Sequence, residues 1–354
     1  MSKNVCLVTG GAGFIGCAIS GQLADRFDRV VALDNLHPQV HARRERPAAL
    51  DVRVELVEGD VTSATDWRSL LKDMTPDVVV HLAAETGTGQ SLTEASRHAD
   101  TNVTGTTRML DAFAEHALAP RRIVLTSSRA VYGEGAWQRE SDAGTVYPGQ
   151  RDRAMLERAE WDFPGLRALP FSSMTTQPSP TSVYGATKLA QEHVLRAWSL
   201  AFGVQPVILR LQNVYGPGQS LSNPYTGIVS LFCRLAREGK AIPIYEDGRI
   251  IRDFVYIDDT ANAIIAAMES NVAGNDAVDI GSGEATSVMR LGELVARRYA
   301  APEPVINGAF RHGDVRHASC DIGKAVETLG WTPAVMLPEG LERLCKWIDG
   351  RLRN

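Results

Sequence analysis

Through the first 209 residues, short apolar runs alternate with longer stretches in which apolar side chains recur at helical spacing. The runs at 5–8, 30–33, 52–58, 78–82, 122–126 and 206–209 have the length and composition of strands. Helices are expected over 14–26, 101–117 and 185–202. This alternation predicts an α/β fold, a Rossmann-type doubly wound parallel sheet with helices on both faces.

After residue 210 the periodicity breaks up. Gly and Pro crowd Tyr215-Gly-Pro-Gly-Gln219 and Ser222-Asn-Pro-Tyr225, and a helical stretch follows over 227–238. A smaller mixed α/β lobe is expected here. The apolar run 254–257 and a helix over 258–269 are expected to return to the first lobe. One domain then comprises 1–209 with about 253–272, and the other 210–252 with 273–354. Residues 164–181, rich in Pro, Ser and Thr, read as a long irregular loop.

Charge and cysteine content narrow the class. The net charge is −5 with both signs mixed along the chain, so nucleic acid is not an expected partner. A few local arginines still suffice for an anionic ligand. The five cysteines, at 6, 17, 233, 320 and 345, include no C-x-x-C pair and are expected to be reduced and mostly buried. No metal-ligand spacing is evident; His81 is expected to be structural and His98 and His193 to lie on helix surfaces. With no leader-like segment and no apolar stretch of about 20 residues, a cytoplasmic protein without a membrane span is expected.

The segment Thr9-Gly-Gly-Ala-Gly-Phe-Ile-Gly16 follows the first strand and opens a helix, the context of a dinucleotide-binding turn. Gly10 permits the tight turn, Gly13 lets backbone approach a pyrophosphate, and Gly16 lets helix and strand pack closely. Amides at the helix start, with Phe14 and Ile15, would face the anion. Asp34 ends the second strand, 18 residues after Gly16. Beside Asn35, it would accept ribose hydroxyls and repel a 2′-phosphate, so NAD is expected rather than NADP. Arg43 and Arg44 are the contrary signal; a solvated loop is the simpler reading of them.

Tyr184-Gly-Ala-Thr-Lys188 opens a helical stretch, and the spacing of four puts phenol and ammonium on one face. A free phenol, with a pKa of about 10, is a poor base at neutral pH. A neighbouring cation favours phenolate and turns it into a usable one.

These segments, with Gly59-Asp60-Val61, His81-Leu-Ala-Ala84 and Thr126-Ser-Ser128, resemble the extended short-chain dehydrogenase/reductases that act on nucleotide sugars. The resemblance implies that Asp60, Val61, Leu82, Ala83 and Ala84 contact NAD. It makes Ser128, Tyr184 and Lys188 the catalytic set, with Ser128 hydrogen-bonding the reacting oxygen and Lys188 bridging to the nicotinamide ribose. It also implies a homodimer paired through 101–117 and 185–202.

Dehydratases of this type carry Asp-Glu after the catalytic hydroxyl residue, whereas this chain reads Ser128-Arg129-Ala130. The simplest remaining chemistry is 4-epimerisation: oxidation at C4, turning of the ketone and return of the hydride to its other face. Leu209-Arg-Leu-Gln-Asn-Val-Tyr-Gly-Pro-Gly218, Arg252-Asp-Phe-Val-Tyr256 and Arg311-His-Gly-Asp314 resemble the sugar-nucleotide half of such enzymes. On that resemblance Asn213, Arg252 and Arg311 would hold the diphosphate, and Asp314 the nucleoside ribose or an arginine.

The block from Asn213 to Gly227, with Glu85-Thr-Gly-Thr-Gly-Gln90, resembles bacterial epimerases of dTDP-L-rhamnose and related deoxysugars. Glu85, Thr86 and Gln90 would then meet sugar hydroxyls. Alternatives are a UDP-hexose 4-epimerase, a sugar-nucleotide dehydratase or dehydrogenase, and an NAD-binding regulatory protein without chemistry. The 55 residues between Ser128 and Tyr184, with Trp137, Tyr147, Trp161 and Phe171, read equally as a lid or an inert insertion.

Overall fold

The structure is a computed structural model that describes residues 4–221, 227–270 and 276–351. The turn expected at Ser222-Asn-Pro-Tyr225 lies outside these residues. Seven parallel strands form the central sheet: β1 (Val5–Thr9), β2 (Arg29–Asp34), β3 (Glu55–Glu58), β4 (Val78–His81), β5 (Arg122–Ser128), β6 (Gln205–Leu211) and β7 (Ala277–Ile280). Their order is β3-β2-β1-β4-β5-β6-β7, which reverses direction at β1 and opens a crevice at the carboxyl ends of β1 and β4.

Alternation along the strands fills two cores. Cys6, Val8, Val30, Val78, Val80 and Val124 pack on one face against Ile19 and Leu23 of α1 (Phe14–Ala24). Leu7, Val31, Val79, Ile123 and Leu125 pack on the other, against Trp67 of α2 (Ala64–Lys72), Phe113 of α3 (Gly105–Glu115) and Leu195 of α4 (Val183–Phe202). A slip of one residue would exchange the faces, so register is fixed by burial on both sides. Helix α5 (Ile257–Glu269) lies beside α1 on the first face.

Three readings of the sequence are corrected. Val52 is exposed and β3 begins only at Glu55. Phe254–Tyr256 does not join the central sheet; it pairs with Asn213–Tyr215 in a separate two-stranded ribbon, leaving α5 alone to return to the first lobe. Ala277–Ile280, assigned from sequence to the second lobe, is β7 and pairs with β6. Its four residues are too few to show a period, and Asp279 breaks the apolar run. That carboxylate is buried because the Tyr132 hydroxyl donates to it at 2.8 Å.

The second lobe packs Val229, Phe232 and Cys233 against Leu291, Val295, Leu341, Leu344 and Ile348. The long insertion folds as a three-stranded antiparallel sheet, Trp137–Arg139 between Thr145–Val146 and Leu166–Ala168, so the expected loop over 164–181 contains a strand. Its root is ionic. Arg151, 1 % exposed, bonds Glu134 at 3.2 Å and Glu246 at 2.9 Å. Arg316 bonds Glu246 at 2.9 Å and Asp162 at 2.7 Å, and its amide donates to Glu134 at 2.9 Å. These buried ions favour a fixed wall over a hinged lid. Among the described residues no helix is long and apolar enough to cross a membrane.

Candidate active site

Above β1 and β4 lies a cleft of about 330 Å³ lined by Gly10, Gly13, Phe14, Ile15, Gly16, Asp34, Asn35, Val61, Leu82, Ala83, Ala84, Glu85 and Thr86. The glycines are there for space. Gly10 has φ +67°, and a Cβ on it would stand 2.8 Å from the Ala83 nitrogen. A Cβ on Gly16 would stand 2.4 Å from the Gly11 oxygen. No side chain caps the start of α1, which leaves its first amides for an anion.

Asp34 is held by the amides of Ala12 at 3.0 Å and Leu36 at 2.9 Å, with one lone pair of each oxygen still open. His41 stands 3.7 Å from it. Burial pushes the Asp60 carboxyl up, but bonds from Thr62 and Asn35 outweigh it and leave the group below the usual carboxylate range. Asp60 therefore holds Asn35, which lines the cleft.

The chemical end forms where β5 stops. Ser128 caps a short 3-10 turn, Arg129–Tyr132, accepting from the Ala130 amide at 3.1 Å. Ser182 caps α4 by accepting from the Gly185 amide at 3.0 Å, which places Tyr184 in the first turn. A Cβ on Gly185 would lie 2.4 Å from the Ala130 oxygen, so glycine here lets α4 close onto the turn that carries Ser128. Ser128 lies near enough to the Tyr184 phenol to act on its acidity. Burial pushes that phenol up, while the Ser128 bond and the Arg129 charge pull the other way.

Lys188 is 2 % exposed, and burial lowers its ammonium to about 7 against the opposing pull of Glu192. Among the described residues it makes no hydrogen bond or ion pair. A buried ammonium with open donors, four residues after a phenol and near enough to His81 at the end of β4 to act on it, is suited to the hydroxyls of a nicotinamide ribose. The residues present thus fit NAD: open amides for the pyrophosphate, Asp34 for one ribose, Lys188 for the other.

Sequence reasoning missed several supports. Asn102, fully buried in the wide π turn Asp100–Thr104, accepts from the Glu85 amide at 2.8 Å and donates to Thr187 at 2.9 Å. It ties the loop after β4 to α4. His98, expected on a helix surface, is buried edge-on to Tyr184 with ring centroids 6.5 Å apart. No local periodicity announces either residue, because both are buried by a distant element. His193 is exposed as expected.

The expected sugar contacts divide. Glu85 pairs with Arg97 at 2.9 Å beside the exposed Thr86. Gln90 is withdrawn: it is 4 % exposed, donates to Glu94 at 3.1 Å and accepts from Gln39 at 2.9 Å. Its amide is committed to holding the loop and does not face the cleft. Asn213 accepts from Arg129 Nε at 2.8 Å. Arg252 is 5 % exposed and pairs with Asp314 at 2.5 Å, so Asp314 steers an arginine. Arg311 is exposed, its guanidinium 5.2 Å from the centre of the Tyr245 ring, while its carbonyl accepts from the Asp314 amide at 3.3 Å.

Comparison with known proteins points the same way. Over 346 residues the chain is 62 % identical to a dTDP-L-rhamnose 4-epimerase of Burkholderia thailandensis, covering 98 % of this chain and 95 % of the relative. The structure superposes on a UDP-glucose 4-epimerase of Thermotoga maritima solved with UDP-glucose, with TM-score 0.80 and 29 % identity, covering 98 % and 99 % of the two chains. It also matches a Thermus thermophilus UDP-glucose 4-epimerase in complex with NAD, with TM-score 0.78 and 26 % identity, over 98 % and 99 %. The profile of the NAD-dependent epimerase/dehydratase family matches residues 6–152 and 163–281. On this evidence of sequence, fold and site together, the chain belongs to the NAD-dependent epimerase/dehydratase family.

Proposed function

We propose that this protein is a nucleotide-sugar 4-epimerase whose substrate is dTDP-L-rhamnose. The observation that carries the reading is the 62 % identity to an enzyme of that name over nearly the whole chain. Ser128-Arg129-Ala130 supports it, because an arginine and an alanine cannot act as the acid and base of a dehydration at neutral pH.

Tyr184, as phenolate, takes the proton of the C4 hydroxyl and later returns it. Ser128 hydrogen-bonds the same oxygen and keeps it in line with the phenol. Lys188 and Arg129 supply positive charge near the phenolate. Asn213, Arg252 and, through a change of rotamer, Arg311 hold the diphosphate, and Glu85 and Thr86 face the sugar. Bound NAD would accept the C4 hydride and give it back.

The first lobe, with β7, carries the cofactor, and the second the sugar nucleotide. The enzyme works in the cytoplasm as a homodimer in which α3 and α4 meet their symmetry mates. Leu200 and Phe202, exposed near the end of α4, support that interface. Light scattering of the purified protein reads the assembly: a dimer mass is expected, and a monomer mass overturns it.

Incubation with dTDP-L-rhamnose tests the function directly. A C4 epimer of unchanged mass is expected. Turnover of UDP-glucose or UDP-N-acetylglucosamine in its place would reassign the substrate, and net NADH or loss of water would reject epimerisation.

A further inference from the structure

Arg129 occupies the position where the sequence motif was informative only for what it lacks, and its surroundings are those of an anion site. Its backbone continues directly from Ser128, and its Nε donates to Asn213 at 2.8 Å, which fixes the plane of the guanidinium. Among the described residues it makes no ion pair, and its terminal amino groups have no protein acceptor. Three buried arginines of this chain behave differently, and the buried Arg122, also without an ion pair among the described residues, gives its terminal amino groups to the Ala267 and Met268 carbonyls and to Gln205. Arg151, Arg210 and Arg316 each bond carboxylates at 2.7–3.2 Å.

A second guanidinium, Arg252, acts on Arg129 electrostatically, opposed by Asp314, which is committed to Arg252 at 2.5 Å, and by Asp253. Burial first, and then the Arg252 charge, lowers the Arg129 guanidinium to about 10. A guanidinium with no carboxylate at ion-pair distance among the described residues, in a partly desolvated pocket beside a second cation, is unfavourable unless an anion completes the set.

We propose that Arg129 anchors the sugar-side phosphate of a nucleoside diphosphate through its terminal amino groups, and so sets the sugar's position before Tyr184. The inference rests on the nucleotide-sugar reading of the site. It selects the sugar-side phosphate because Arg129 adjoins Ser128, at the chemical end, whereas Arg252 and Asp314 stand on the second lobe. The planar fork matters as well as the charge, since it meets two phosphate oxygens at once.

Equilibrium binding of dTDP and dTMP to the NAD-loaded enzyme tests this. Wild type is expected to prefer dTDP. Arg129→Gln is expected to lose about 10–100-fold in dTDP affinity with dTMP affinity unchanged, the range for a hydrogen bond to a charged group. Arg129→Lys, which keeps the charge, is expected to fall between them. If the glutamine variant fails to hold NAD, the lysine variant decides by the same ratio.

A dTDP preference unchanged in the variants would overturn the proposal while leaving the epimerase reading intact. A wild-type enzyme that does not distinguish dTDP from dTMP would overturn the phosphate site altogether. Binding of UDP and UMP in place of the thymidine nucleotides would correct the base, and the Arg129 ratio would then be read on that pair.

Discussion

Tyr184 sits under opposed influences, burial raising its pKa and the Ser128 bond and Arg129 charge lowering it. Removing only its hydroxyl separates catalysis from architecture. Tyr184→Phe is expected to lower turnover by about 10²–10⁴-fold with NAD content unchanged, as single-turnover kinetics and cofactor release will show. Asp34→Ala is expected to weaken NAD about 10–100-fold and to narrow the NAD over NADP preference, measured by fluorescence titration. His81 gives a pH test. Burial, and then Lys188, lowers its imidazole to about 3, with Thr9 at 2.6 Å and Thr106 at 2.9 Å on its ring nitrogens. Below its unfolded pKa of about 6.5 the unfolded chain takes a proton that the folded one refuses, so stability falls as pH falls. His81→Asn removes that slope. The advantage of wild type over the variant is expected to shrink by about 2 kcal/mol between about pH 7 and about pH 5, in urea unfolding.

Among the elements, the start of α4 is the most demanding, because a helix turn and a 3-10 turn approach within the width of a methyl group. Gly185→Ala would press on the Ala130 carbonyl, separate Tyr184 from Ser128, and cost about 1–3 kcal/mol of stability with a fall in turnover. The ionic root of the insertion is a second such point. Arg151→Met takes from the buried Glu134 its ion-pair partner and leaves Glu246 with Arg316 alone, and a loss of about 3–5 kcal/mol is expected in denaturant titration. The sequence made the strands of the first lobe and the glycine turn legible because burial on both sheet faces writes long apolar runs. It did not reveal β7 or the pairing of Phe254–Tyr256, whose partners are chosen by space left elsewhere. Arg129 was visible as a letter but not as a guanidinium bonded to Asn213, since no local pattern says which way a residue after a strand will turn.

At the scale of the whole molecule, the proposed epimerisation returns to the sugar the same hydride that it removes. Substrate deuterated at C4 is therefore expected to give an epimer that keeps its label, with no exchange into solvent, as mass spectrometry will show. The proposed catalytic triplet was legible in outline because Ser128, Tyr184 and Lys188 sit in short motifs, whereas the ring of supports from Asn102, His98 and Gln90 depends on contacts between distant segments. The bond from Arg316 to Glu134 spans 182 residues and has a further consequence. While the chain is still being made, Tyr184 and its helix can form long before Arg316 has left the ribosome. Until then Glu134 lacks a partner that it needs in order to be buried, so the nascent insertion stays hydrated and the pocket wall is the last part to set. Final assembly should thus follow release of the carboxyl-terminal fifth of the chain, and a truncation ahead of Arg316 should yield a folded sheet beside an unsettled, protease-sensitive wall.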